Sequence, residues 1–148
     1  MHDIHTHIGQ FYQTYYDYHD VFKALKNNGV DETTFAYLTP LFTESEPAIV
    51  FYNAMTQETK VALDFAKEIG LKVNPLYWID PMVLSGGITL KSILDDLDYK
   101  GLVVHPFLND WNPADKKRAD LLIQVFEFAE KENYCIFALR NETTLTWQ

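Results

Sequence analysis

The sequence predicts an α/β protein built on a parallel sheet, in the layout β(αβ)4. Three observations predict it. Strand-like segments begin near positions 2, 33, 71, 101 and 134, and that recurrence, with helical segments between, is the spacing of βαβ units joined by right-handed crossovers. The intervening segments carry apolar residues at helical spacing. Gly101-Leu102-Val103-Val104 is wholly apolar, like a strand buried on both faces.

The first strand is expected from Met1 to Ile8. A helix follows from near Tyr15 to Asn27, with Val21, Ala24 and Leu25 at i, i+3, i+4 and a stop at Asn27-Asn28-Gly29. Thr33 to Leu38 is β-branched and aromatic and ends near Pro40, so it reads as a strand. Thr43 to Pro47 reads as a loop and Ala48 to Tyr52 as a short helical turn. Thr56 is the expected N-cap of a helix carrying Val61, Ala62, Phe65, Ala66 and Ile69, stopped by Gly70. Leu71 to Trp78 is the third strand, with an irregularity expected at Pro75. Ser85-Gly86-Gly87 reads as a loop, and Leu90, Ile93, Leu94 and Leu97 form a third helical stripe.

Beyond the apolar strand at 101–104, Asn112 is the expected cap and Pro113 the first residue of the last helix. That helix turns Leu121, Leu122, Val125, Phe128 and Ala129 inward, and Lys116, Lys117, Arg118, Glu127 and Glu130 outward. Tyr134 to Leu139 is the fifth strand, and the tail from Asn141 is polar until Trp147. With no linker and no low-complexity segment, residues 1–148 read as one domain.

The chain has 148 residues, 47% of them hydrophobic and 15% aromatic, which excludes disorder and gives enough length for a core. A net charge of −9 argues against a protein that grips nucleic-acid phosphates or an anionic membrane surface. No apolar run approaches the roughly 18 residues of a membrane-spanning helix. The opening residues lack the basic-then-apolar pattern of a signal peptide. A single cysteine, Cys135, forms no internal disulfide, so a reducing compartment, the cytoplasm, is expected. Its apolar neighbours make Cys135 read as a small core residue.

The sharpest chemical signal is Asp3-Ile4-His5-Thr6-His7-Ile8-Gly9. Alternation along a strand places Asp3, His5 and His7 on one face. Two imidazoles so spaced converge on one metal ion, and neutral imidazole suits zinc, iron or nickel. The plain alternative is a polar strand start. An apolar strand has no packing reason to choose these residues, and that favours the metal.

His105 leaves the carboxyl end of the apolar strand, the end where parallel α/β folds bind ligands, so it is expected on the same rim. It serves there in catalysis, or else satisfies backbone groups before Pro106. Asp80, at the end of the third strand, reads as a carboxylate ligand, a general base or a turn cap. Trp78 and Arg140 are the candidate substrate-binding residues. Arg140 would orient an anionic group, or would pair with Glu142 at the surface. Glu44 is a weaker candidate, read equally as a solvated loop charge. The aromatic run from Phe11 to His19 would line a site mouth, act as a lid, or contact another subunit.

The opening motif, Trp78-Ile79-Asp80-Pro81, and Lys100-Gly101-Leu102-Val103-Val104-His105-Pro106, taken in that order, resemble the amidohydrolase superfamily. The likeness is greatest to its amidohydrolase-related metal-dependent hydrolases, a branch that includes decarboxylases. The resemblance implies a TIM barrel with a divalent metal, zinc foremost, at its carboxyl rim. It implies His5 and His7 as ligands and His105 as the histidine that follows strand four. The chain departs from the pattern where the family has a ligand histidine after strand five, since Leu139-Arg140 stands there. Only about five of eight strands are present, and a full barrel needs about 250 residues. The expectation is therefore an incomplete, TIM-barrel-like sheet, from a truncated or shortened barrel.

The function expected is a metal-dependent hydrolase acting on a small-molecule amide, ester or phosphoester, impaired to the extent that later ligands are missing. The alternative is a non-catalytic, homo-oligomeric binding or scaffold protein with a vestigial metal site. Phosphoesterases of the polymerase-and-histidinol-phosphatase type and TatD-type deoxyribonucleases share the opening motif. Their further ligands are absent here, and the negative charge does not favour DNA. The expected partners are a small-molecule substrate and a second copy or second chain covering the open sheet edges, with no nucleic acid and no membrane.

Overall fold

The computed structural model describes residues 1–11, 13–38, 47–104 and 114–138. The chain opens with β1 (His2–Phe11), which runs past Ile8 because it folds back on a short antiparallel strand, β2 (Thr14–Tyr16), in the register Gly9↔Tyr16 and Phe11↔Thr14. With residues 14–16 in that hairpin, the first helix starts later than its apolar spacing implied. This helix, α1 (Tyr18–Asn27), is capped by the Asp17 carboxylate, which accepts from the His19 amide at 2.8 Å.

Burial pushes the Asp17 pKa up, but the His19 amide and ring outweigh that and hold it below its ordinary value. The cap therefore stabilises the fold above the ordinary carboxylate pKa, and its contribution is lost as pH falls through the lowered folded value. Asp17→Ala should cost about 1 kcal/mol of unfolding free energy at neutral pH. Urea denaturation at pH 7 and at pH 3 checks this, with the difference between variant and parent shrinking at pH 3.

Next comes β3 (Glu32–Leu38), parallel to β1. The following helix, α2 (Ala48–Glu68), is continuous, so the expected short turn and the expected cap at Thr56 are both superseded. The reason is the stripe Ala48, Phe51, Tyr52, Met55, Thr59, Ala62 and Ala66, all buried. It keeps helical spacing straight through Thr56, so nothing there favours a break. In β4 (Lys72–Trp78) the expected irregularity at Pro75 does not interrupt the register with β3, where Pro75 lies opposite Phe35. Asp80 then caps a 3-10 turn over Pro81–Gly86, accepting from the Met82 amide at 2.9 Å, so Ser85 and Gly86 close a helical turn rather than a loop.

Thr89 caps α3 (Leu90–Asp96), which leads into β5 (Gly101–Val104), buried throughout as its apolar sequence implied. The last helix, α4 (Lys116–Glu132), is capped by Asp115 through the Lys117 and Arg118 amides. Asn112 and Pro113, the expected cap, lie outside the described residues. The final strand is β6 (Cys135–Ala138).

The sheet order is β2-β1-β3-β4-β5-β6. Five strands run parallel in the β(αβ)4 layout, and β2 adds one antiparallel edge. The sheet is not closed, since β2 and β6 are its two edges. Among the described residues no helix is long and apolar enough to cross a membrane.

The two faces of the sheet differ. Helices cover one of them, where Phe22 of α1 meets Phe35 edge-on at 5.4 Å and Tyr52 of α2 meets Tyr77 at 6.1 Å. Each such buried aromatic contributes about 1.5–3 kcal/mol of hydrophobic stabilisation. Side chains of paired residues in parallel strands share a face, so the other face carries His7 beside Ala36, Ala36 beside Leu76, Trp78 beside Val103, and Val103 beside Phe137. His5 stacks on Phe137 with ring centroids 5.6 Å apart. Their strands are four steps apart in the sheet, about 19 Å if it were flat. The sheet therefore curls, and this second face is its concave side.

Candidate metal centre

Register along β1 explains how the imidazoles reach the concave face. Asp3 pairs with Thr33, but Thr6 pairs with Phe35, so β1 carries one extra residue between those points. This is a β-bulge, which re-aims side chains and interrupts strict alternation. Asp3 consequently falls on the helix-covered face, where the Thr33 hydroxyl donates to its Oδ2 at 2.7 Å. The simple alternation that grouped Asp3 with His5 and His7 is thus corrected: the bulge separates the carboxylate from the imidazoles. Two residues beyond His7, Gly9 has φ +95, and its lack of a side chain lets β1 lie directly against the Leu38 backbone.

The two imidazoles meet edge to face, with ring centroids 4.3 Å apart. Phe137 stacks on His5, and Trp78 stands edge-on to His7 at 6.2 Å. Both ring nitrogens of His5 are buried and have no hydrogen-bond partner among the described residues. Burial lowers the His5 pKa, and the negative charge of Asp3 offsets this only in part. The ring is therefore held toward its neutral form, the form that ligates metals.

These residues fit a divalent metal. A tetrahedral zinc with bonds of about 2.0–2.1 Å holds two nitrogens roughly 3.3 Å apart, a separation that rings 4.3 Å between centroids can present. A cation would also satisfy a nitrogen of His5 that otherwise bears its desolvation unpaid. Among the described residues, no group of three or more His, Cys, Asp or Glu side chains gathers to complete the ligand set.

The other candidates divide into those the structure brings near and those it does not describe. Trp78 is buried against His7 on the concave face. Asp80 is 2% exposed, and its described role is the cap of the turn that follows β4. His105, Arg140 and Glu44 lie outside the described residues. Cys135, expected in the core, is exposed because it begins an edge strand. In the aromatic run, Phe11, Tyr15 and Tyr16 are exposed on the hairpin. Phe137 is the neighbour that reading by strands missed. Its apolar strand was plain, but its contact with His5 depends on curvature, which no local pattern encodes.

No protein-family model, no curated protein and no solved structure matches the chain.

Proposed function

We propose that the protein is a metal-dependent hydrolase of amidohydrolase type, acting on a small-molecule amide, ester or phosphoester, with His5 and His7 holding a divalent cation, zinc foremost. The observation that carries this reading is the imidazole pair itself: two rings in contact on a concave sheet face, one with both nitrogens buried and unpartnered among the described residues. A buried imidazole with no protein partner is costly, and a metal is the ligand its chemistry fits. The amidohydrolase resemblance of the opening motif agrees with it. So does the curl of the parallel sheet, since a sheet on the way to a barrel must curl. The bound cation would supply Lewis acidity, polarising a carbonyl or phosphoryl oxygen and easing ionisation of water.

In this reading His105, the residue directly after β5, is the further ligand or catalytic histidine. Trp78 shapes the floor beside His7, and Arg140 orients an anionic substrate group. Asp80 positions the turn beyond β4. The open edges at β2 and β6 favour a homo-oligomer or a second chain covering them.

Elemental analysis of protein purified without chelator tests the metal. About one zinc per chain is expected, and His7→Ala should weaken binding by more than the roughly 10–100-fold that changes outside the ligand shell cost. Absence of metal, or binding indifferent to His5→Ala and His7→Ala, overturns the reading. The ligand group of only two histidines among the described residues favours a second reading, a non-catalytic binding or scaffold protein with a vestigial site. Absence of metal with an intact fold in the double variant would support it.

A further inference from the structure

Helix α4 carries its charges in the order that a lone helix disfavours. It opens with Lys116, Lys117 and Arg118, three cations at the end where the helix dipole is positive. It closes with Glu127, Glu130 and Glu132 against Lys131 alone, where the dipole is negative. Pairing within the helix answers only part of this. Lys116 meets Asp120 at 2.6 Å, Arg118 meets Asp115 at 3.5 Å, and Lys131 meets Glu132 at 3.8 Å. Among the described residues, Glu127 and Glu130 enter no ion pair.

Between its charged ends the helix exposes apolar surface. Its inner face is buried through Leu122, Val125 and Ala129, and Phe128 stacks on Tyr134 just ahead of β6, with ring centroids 6.0 Å apart. Ile123 and Phe126 are not used there and are 52% and 43% exposed. Residues seven apart are nearly two full turns on, so Lys116, Ile123 and Glu130 follow one line along the exposed side, with Phe126 beside it.

An antiparallel copy of α4 answers both features at once. Centred on Ile123, it covers Ile123 and Phe126 with the same residues of the other copy. It also sets Lys116 of each copy beside Glu130 of the other, because both stand seven residues from the centre. A two-fold pairing makes every such contact twice. Two chains of net charge −9 repel each other overall, so association needs a local patch whose charges alternate in this way. An anionic membrane is a poor occupant, because the acidic end of the same line would face it.

We propose that α4 is a self-association face. Two copies of the chain pair their α4 helices antiparallel about a two-fold axis near Ile123, with Ile123 and Phe126 covered at the centre and Lys116 opposite Glu130 at each end. This names the surface for the homo-oligomer favoured above. It involves neither histidine, so its failure leaves the metal reading standing, and failure of the metal leaves this face standing.

Sedimentation of the full chain across the micromolar to submillimolar range tests it. One helix face is a small interface, so a reversible dimer of about twice 17.2 kDa with a micromolar Kd is expected. Ile123→Glu sets two carboxylates together at the axis and should raise Kd by roughly 100-fold or more. Lys116→Glu and Glu130→Lys should each raise it roughly tenfold, and the two swaps in one chain should restore it, since each end then pairs with reversed signs. Lys116 and Glu130 are exposed, so these swaps report on pairing even where Ile123→Glu fails to fold. A parent that stays monomeric throughout, whatever else this face binds, overturns the proposal. So does a dimer indifferent to the single swaps, or a double swap that is no tighter than either single one.

Discussion

Gly9→Ala should cost about 3–5 kcal/mol of unfolding free energy, the range reserved for a few named mechanisms. Two of these act together at this position. The backbone sits at φ +95, a region that residues with a Cβ rarely adopt. An ideal Cβ would overlap the Leu38 carbonyl oxygen and would lie 3.1 Å from the Leu38 nitrogen and 3.2 Å from its carbonyl carbon. All three are backbone atoms of a paired strand, so none can swing aside as a flexible side chain would. Relief requires β1 to part from β3 at the register Gly9↔Leu38, two residues from His7.

Gly70→Ala is the control. Gly70 also has a positive φ, +66, but nothing lies within 4 Å of its ideal Cβ. It should cost only the conformational term, about 1–2 kcal/mol. Urea titrations of both variants settle the comparison, and equal losses would mean that the close approach of β1 to β3 is not there.

Gly9 also shows where sequence reading stops. The motif announces a glycine after Asp-x-His-x-His, but only the neighbouring strand explains why alanine fails. The alternation of strands and helices was legible because each segment repeats its own period, 2 or 3.6, without reference to anything distant. The apolar β5 was readable to the residue for that reason, since burial on both faces leaves no polar position. The bulge in β1 was not, because one extra residue changes the register without changing composition. It moved Asp3 away from the imidazoles while leaving His5 and His7 together.

The β1–β2 hairpin was hidden behind aromatic residues that suit a strand or a helix face equally well. Cys135 misled for a related reason. Its neighbours along the chain are apolar, but its exposure is decided by β6 being an edge, a property of strand order. Of the candidate site, the imidazole pair was visible in seven consecutive residues. The ring stacked on His5, contributed by Phe137, needed the whole curl of the sheet.

His5→Phe should make the metal-free protein more stable, by roughly 1–3 kcal/mol. The imidazole now buries two nitrogens that no group among the described residues satisfies. Phenylalanine removes both and keeps an aromatic ring in the stack on Phe137, where the planes are only 11° apart. A residue whose replacement strengthens the fold is retained for something other than folding, the usual signature of stability given up for function. The opposite sign should appear when zinc is added. Ligand binding stabilises the native state by about 2.7 kcal/mol at a free concentration 100 times Kd, so zinc should raise the Tm of the parent and leave that of His5→Phe unmoved. Thermal melts of both proteins, with chelator and with zinc, give four values whose order decides the matter. If His5→Phe is less stable than the parent in chelator, the ring is a packed structural histidine and its nitrogens are satisfied after all. If both proteins respond equally to zinc, the metal sits somewhere other than between His5 and His7.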